Sequence, residues 1–166
     1  MKLIEDLTAV RLELVDLLTP LSHEQLNVKI NDGTWSIVQV VRHLVFIDEL
    51  IYPSLLKAMQ RESNVVEEKN IDFVRDRTQK LKSPYPEPSE DFIEKGNLIN
   101  LLQTVRQPLL NYLKTVEEKE LIEKTMLHPL LGPMQTKQLL EFVVLHEKRH
   151  IEQIQELIGS SNLASY

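Results

Sequence analysis

A chain of 166 residues with 42% apolar and 27% charged side chains can bury a sizeable core and is too apolar to stay disordered. A formal net charge of −6, with no Lys/Arg cluster carrying interleaved aromatics, argues against a nucleic-acid partner. Cysteine is absent, which excludes disulfides, thiolate ligands and a cysteine nucleophile. No apolar run is long enough to span a membrane, and Met1-Lys2-Leu3-Ile4-Glu5-Asp6 places carboxylates where a signal peptide needs an apolar stretch, so a cytoplasmic protein is expected.

Scarce glycine and few aromatics beside abundant Leu and Val favour helices over a sandwich or barrel. Leu3, Leu7, Val10, Leu14 and Leu17 recur at steps of four and three, which predicts a first helix ending at Thr19-Pro20. Glu5, Asp6, Arg11, Glu13 and Asp16 lie between them and read as a solvated face. Residues 20–35 form a connection with a short helical turn near Ser22–Leu26, a surface histidine at His23 and a turn at Asn31-Asp32-Gly33-Thr34. Ser36 with Gln39 three residues on matches a capping box. A second helix follows, with Ile37, Val40, Val41, Leu44, Ile47 and Ile51 on one face, running to about Arg61 through Pro53. His43 falls on that apolar face, so its ring should point into the core.

Residues 62–96 are irregular, and Ser83-Pro84-Tyr85-Pro86-Glu87-Pro88-Ser89 favours an extended polyproline conformation. So long a connection reads as a crossover between two parallel helices and a candidate lid. A third helix is expected from about Leu98 to Val116, kinked at Pro108, then a connection over 117–135 with an acidic run and a turn-rich loop, His128 to Pro133. His128 reads as a structural loop histidine that could approach a site. A fourth helix should start at Thr136 as N-cap and end at Gly159, with Leu139, Leu140, Val143, His146, His150, Ile154 and Leu157 inward. Ser160 to Tyr166 reads as a mobile tail. Together these elements predict an all-α four-helix bundle, with residues 1–166 as a single domain.

His146 and His150 stand one turn apart on one helix face, a common way to present two imidazoles to a divalent metal. A pair at this spacing also arises by chance, and a third histidine changes its weight. His43 lies roughly 10 Å from the start of its helix, and His146 and His150 lie roughly 18 and 12 Å from the end of theirs, at 1.5 Å per residue. In antiparallel helices the three rings fall at similar height. Three neutral imidazoles with an open position suit Zn or Ni first, and Fe or Mn next. Glu147 and Gln39 are candidates for supporting the ligands or moving protons, although Glu147 is rotated about 100° from His146 and a solvated carboxylate is the plainer reading. No Ser-His-Asp order, phosphate-cradling glycine loop or His-Glu-x-x-His pattern is present.

Thr34-Trp35-Ser36-Ile37, His43-Leu44, the His-Pro-x-x-Gly loop at His128 to Gly132, and His146-x3-His150 followed by Gln153-Ile154 together resemble the DinB/YfiT-like family of bacterial metalloproteins over nearly the whole chain. The resemblance implies a bundle with up-down-down-up connection, a divalent metal on His43, His146 and His150, and often a homodimer. Trp35 matches that family's helix-start tryptophan, and an aromatic anchor is the favoured reading. Family activities include S-transferases that use low-molecular-weight thiols such as bacillithiol, and a mycothiol-dependent isomerase; other members are described as metal-dependent hydrolases. The expectation is a divalent-metal-dependent enzyme acting on a small molecule, either a thiol S-transferase or a hydrolase. The third alternative is a non-enzymatic metal- or ligand-binding bundle.

Overall fold

Helix α1 (Lys2–Leu18) buries Leu3, Leu7, Val10, Leu14 and Leu18 along one seam. The structure is a computed structural model, and it describes residues 1–62, 64–79, 82–160 and 162–166. A short helix α2 (His23–Asn27) carries its own capping box between Ser22 and Gln25. Helix α3 (Ile37–Met59) opens on the expected box: Ser36 Oγ accepts from the Gln39 N–H at 3.2 Å, and Gln39 Oε1 accepts from the Ser36 N–H at 3.0 Å. It runs through Pro53, as α4 (Lys95–Leu113) runs through Pro108. Helix α6 (Thr136–Ile158) closes the bundle. Among the described residues no helix is long and apolar enough to cross a membrane.

Contacts at the two ends give the connection order. Lys95, at the start of α4, holds the carbonyls of Thr19 and Leu21 at 2.9 and 3.0 Å, so α4 begins where α1 ends. Lys124 binds the Arg61 carbonyl, and its own carbonyl accepts from the Thr136 N–H, so α3 ends where α6 begins. The bundle is therefore up-down-down-up, with α3 and α4 parallel. The chain must cross the full length of the bundle between them, as expected for the long irregular stretch. Ser63, Lys80 and Leu81 of that stretch lie outside the described residues.

The connection is stitched to the helices rather than draped over them. Arg149 of α6 donates to the carbonyls of Val74, Asp76 and Gln79, and Gln138 pairs with both the N–H and the carbonyl of Lys69. Farther along, Gln39 donates to the Pro88 carbonyl at 2.9 Å, Arg42 to that of Ser89 at 2.6 Å, and Asn27 pairs with both backbone groups of Ile93. Side chains thus satisfy backbone groups that no strand or helix satisfies.

Several expectations need correction. The 117–135 connection contains a helix α5 (Glu118–Glu123), capped by Glu117 and Glu120, and an antiparallel hairpin of β1 (Thr125–His128) and β2 (Gly132–Gln135). Gly132 adopts φ +72°, the left-handed conformation that closes the three-residue loop. Strand β2 runs straight into α6, so Gln135 takes the N-cap position and Thr136 is the first helical residue. The third long helix starts at Lys95, three residues earlier than expected. The tail does not float free: Leu163, in a short 3-10 turn, is buried in the core.

The largest departure concerns Arg11 and Glu147, expected in solvent and found buried. Arg11 (α1), Asp48 (α3), Arg106 (α4) and Glu147 (α6) form a closed ring in the middle of the bundle, each at most 5% exposed. Arg11 reaches Asp48 Oδ2 at 2.7 Å and Glu147 Oε1 at 2.7 Å. Arg106 reaches Asp48 Oδ1 and Glu147 Oε2, also at 2.7 Å. Remaining guanidinium donors meet the Leu102 and Leu7 carbonyls. Two positive and two negative charges cancel, and the two arginines overcome the burial that would otherwise raise the Glu147 carboxyl, holding it below its ordinary value.

Removing one member strands an uncompensated charge, so Arg106→Met should cost about 3–5 kcal/mol. The double variant Arg106→Met, Glu147→Leu leaves the balanced Arg11–Asp48 pair and should cost clearly less than the two single changes added together. Chemical denaturation of all three variants checks this, and strict additivity would contradict a coupled ring. Because Glu147 has a lowered pKa in the fold, its contribution is complete above the ordinary carboxylate pKa and is lost as pH falls through the folded value.

Candidate metal centre

His43 comes from the second turn of α3, His146 and His150 from consecutive turns of α6, and antiparallel packing brings all three together. Their Nε2 atoms converge: His43 to His146 at 3.3 Å and His150 to His146 at 3.1 Å. Two imidazole nitrogens bound to one tetrahedral Zn stand about 3.3 Å apart, from bond lengths of about 2.05 Å. The observed spacing therefore fits a shared divalent cation, and among the described residues no further His, Asp or Glu joins the cluster.

Three rings facing nitrogen to nitrogen must be neutral, and the surroundings make them so. Burial pushes His43 down to about 4. Burial, then the neighbouring His43, pushes His150 down to about 3. His146 is held well below its ordinary value by burial and by the two other rings. Gln153 presents Oε1 to His150 Nδ1 at 2.7 Å, the arrangement of an Nδ1–H donor, which leaves the lone pair on Nε2 for a metal. Trp35 packs on His43 with ring centroids 5.5 Å apart, and Phe142 stacks on His146 at 6.1 Å and 15°. Trp35, expected as an aromatic anchor, thus also packs on the His43 ring.

The rings open into a cavity of about 740 Å³ in the groove between α3 and α6. The hairpin walls it with Met126, Leu127 and His128, and the crossover closes the far side with Arg77 and Tyr85. Tyr85 is held by edge contact with Phe46, and Arg77 by an ion pair with Glu156 at 2.5 Å. Leu139, Val143 and Ile47 add apolar lining, while Lys82, Arg149 and Glu156 add charge.

Of the other sequence candidates, His23 is exposed and accepts from the Lys95 N–H, away from the cluster. Glu147 and Gln39 do not support the ligands, because Glu147 is held by two arginines and Gln39 by the Ser36 cap and Pro88. Reasoning from sequence missed Gln153 and Phe142 as supports, although both stand at helical spacing, three residues after His150 and four before His146. It also missed Arg149, whose anchoring of the crossover no local pattern signals.

The DinB superfamily profile matches residues 6–154. The chain is 33% identical over 150 residues to the uncharacterized protein YuaE of Bacillus subtilis strain 168, covering 89% of this chain and 91% of that one. Two solved structures share the fold. YfiT from Bacillus subtilis, described as a probable metal-dependent hydrolase with an unusual four-helix bundle topology, superposes with a TM-score of 0.68 at 22% identity, over 94% of this chain and 83% of that one. TT2238, a four-helix bundle protein, gives 0.63 at 18% identity, over 93% and 97%.

Depressed histidine pKa values add to the pH response of the metal-free protein. The unfolded chain takes up protons first, so stability is complete above about pH 6.5 and falls as pH drops toward 4 and then 3. Imidazole NMR titration of the metal-free protein should place the first protonation of the cluster near 4; midpoints near 6.5 would contradict the buried, neutral triad.

Proposed function

The chain belongs to the DinB superfamily, and from that premise we propose that His43, His146 and His150 hold one divalent metal ion in a metal-dependent hydrolase of an apolar small molecule. The observation that carries the reading is an open three-nitrogen cluster at the floor of an apolar cavity. Zn or Ni suits three imidazoles best, with Fe or Mn next. When bound, the metal supplies a Lewis acid that acidifies a water molecule and polarises a carbonyl.

The protein supplies the rest. Gln153 sets the tautomer of His150, Trp35 and Phe142 fix ring orientation, and the crossover and hairpin limit water around the reacting groups. A structural metal would be closed off by four protein ligands, whereas this cluster has three and faces the cavity, which favours chemistry over scaffolding. The YfiT description supports the hydrolase reading by shared fold. A thiol S-transferase uses the same ligands. Its specific support is the cavity's size, which leaves room for a thiol beside an apolar electrophile. A homodimer is proposed on the resemblance alone, and light scattering tests it; a cytoplasmic location is proposed on the carboxylates at Glu5 and Asp6 and the lack of cysteine.

Purified without an affinity tag, the protein should carry about one equivalent of divalent metal by elemental analysis. His43→Ala, His146→Ala and His150→Ala should each lose it, while His23→Ala retains it; equal retention in all four would refute the assignment. Activated aryl esters should be hydrolysed without added thiol, with turnover abolished by chelation and restored by metal. Turnover that needs a low-molecular-weight thiol would instead select the transferase, and turnover that survives chelation would remove the metal from the chemistry.

A further inference from the structure

His128 stands outside the triad but in the same cavity. It ends β1 opposite Gly132, and its ring turns back over the loop that follows. Its Nδ1 accepts from the backbone N–H groups of Leu130 at 3.2 Å and Leu131 at 3.1 Å. An accepting nitrogen carries no proton, so the proton of the neutral ring sits on Nε2. Burial, then the charge of Lys69, lowers the His128 pKa and keeps the ring neutral near pH 7. The ring packs edge-on against Phe142, centroids 4.6 Å apart, and Phe142 in turn stacks on His146. One aromatic ring therefore separates His128 from the triad. Among the described residues no hydrogen-bond acceptor meets His128 Nε2.

We propose that His128 is a further catalytic residue, an oxyanion donor whose Nε2–H bonds the carbonyl oxygen of an ester with an apolar acyl chain. The proposal rests on the hydrolase reading above and deepens it. The acyl chain follows from the lining: Leu139 and Val143 inside, then Leu127 and Leu130, 74% and 61% exposed, continuing the apolar track outward along the rim. In the step, the oxygen of a water molecule adds to the carbonyl carbon and the C=O π pair moves onto the carbonyl oxygen. There the Nε2–H meets the developing charge. The ester C–O bond then breaks, one proton of the water leaves with the alcohol, and the acid remains. His128 keeps its proton throughout, so it acts as a donor and not as a base.

Two substitutions separate this role from support of the hairpin. In His128→Asn the Oδ1 occupies the place of Nδ1 and can keep the loop N–H bonds, while the amide nitrogen stands at the place of Cδ2 and no donor remains at the place of Nε2. In His128→Gln the amide reaches the place of Nε2 and keeps a donor, while the loop bonds are lost, lowering the melting temperature by about 3 °C. With metal content equal to that of the wild type, His128→Asn should lower kcat for an aryl ester about 100-fold with little change in KM, and His128→Gln should recover part of it. Calorimetric binding of hexylphosphonate, whose tetrahedral anion mimics the addition intermediate, supplies a second readout in metal-loaded and metal-free protein. His128→Asn should weaken it about tenfold and His128→Gln much less. Equal hexylphosphonate affinity in wild type and His128→Asn, or no binding to the wild type, would overturn the role of His128 even if esters are hydrolysed. A wild type that hydrolyses no ester would overturn the hydrolase reading instead, and the phosphonate comparison would still decide whether His128 donates.

Discussion

One charged residue from each long helix joins a four-membered ring of ion pairs at the centre of the bundle. Arg11, Asp48, Arg106 and Glu147 are held there by the low dielectric that makes any unpaired member costly. Leucine seams allow neighbouring helices to slide by a turn at modest cost, whereas a ring of 2.7 Å ion pairs does not. Asp48 lies five residues after His43, and Glu147 directly follows His146. The ring therefore fixes the register of the two helices that carry the triad, and the convergence of three Nε2 atoms depends on that register.

Around this fixed frame the two irregular segments make the cavity. The crossover has few apolar anchors and is held mainly by side chains that bind its backbone, Gln138 and Arg149 on one half and Gln39 and Arg42 on the other. Such a segment keeps its path without secondary structure, because its buried polar groups are paired. The hairpin brings a second wall against α6 through Met126 and Met134, both buried. A groove between two helices thus becomes a walled cavity lined in part by the triad.

The electrostatics of the cavity are arranged by hydrogen bonds that choose tautomers. Gln153 draws the His150 proton to Nδ1 and leaves the lone pair on Nε2, while the loop N–H groups of Leu130 and Leu131 engage the lone pair of His128 Nδ1 and leave a proton on Nε2. Two histidines lining one cavity therefore carry opposite tautomers. Burial favours the neutral form of these rings.

The sequence by itself determined the four long helices, the Ser36–Gln39 cap, the inward face of His43 and the shared face of His146 and His150. All of these follow from spacing of three and four residues, a signal contained within one helix. The two strands were not legible, because four-residue strands give too few alternations to stand out from a loop rich in Pro and Gly. Tertiary structure alone decided that Arg11 and Glu147 are buried, since their partners lie up to 136 residues away and a charged side chain pays for desolvation only when those partners arrive together. It likewise decided which nitrogen of His128 carries the proton, a choice made by backbone groups that only the closed hairpin aims at the ring.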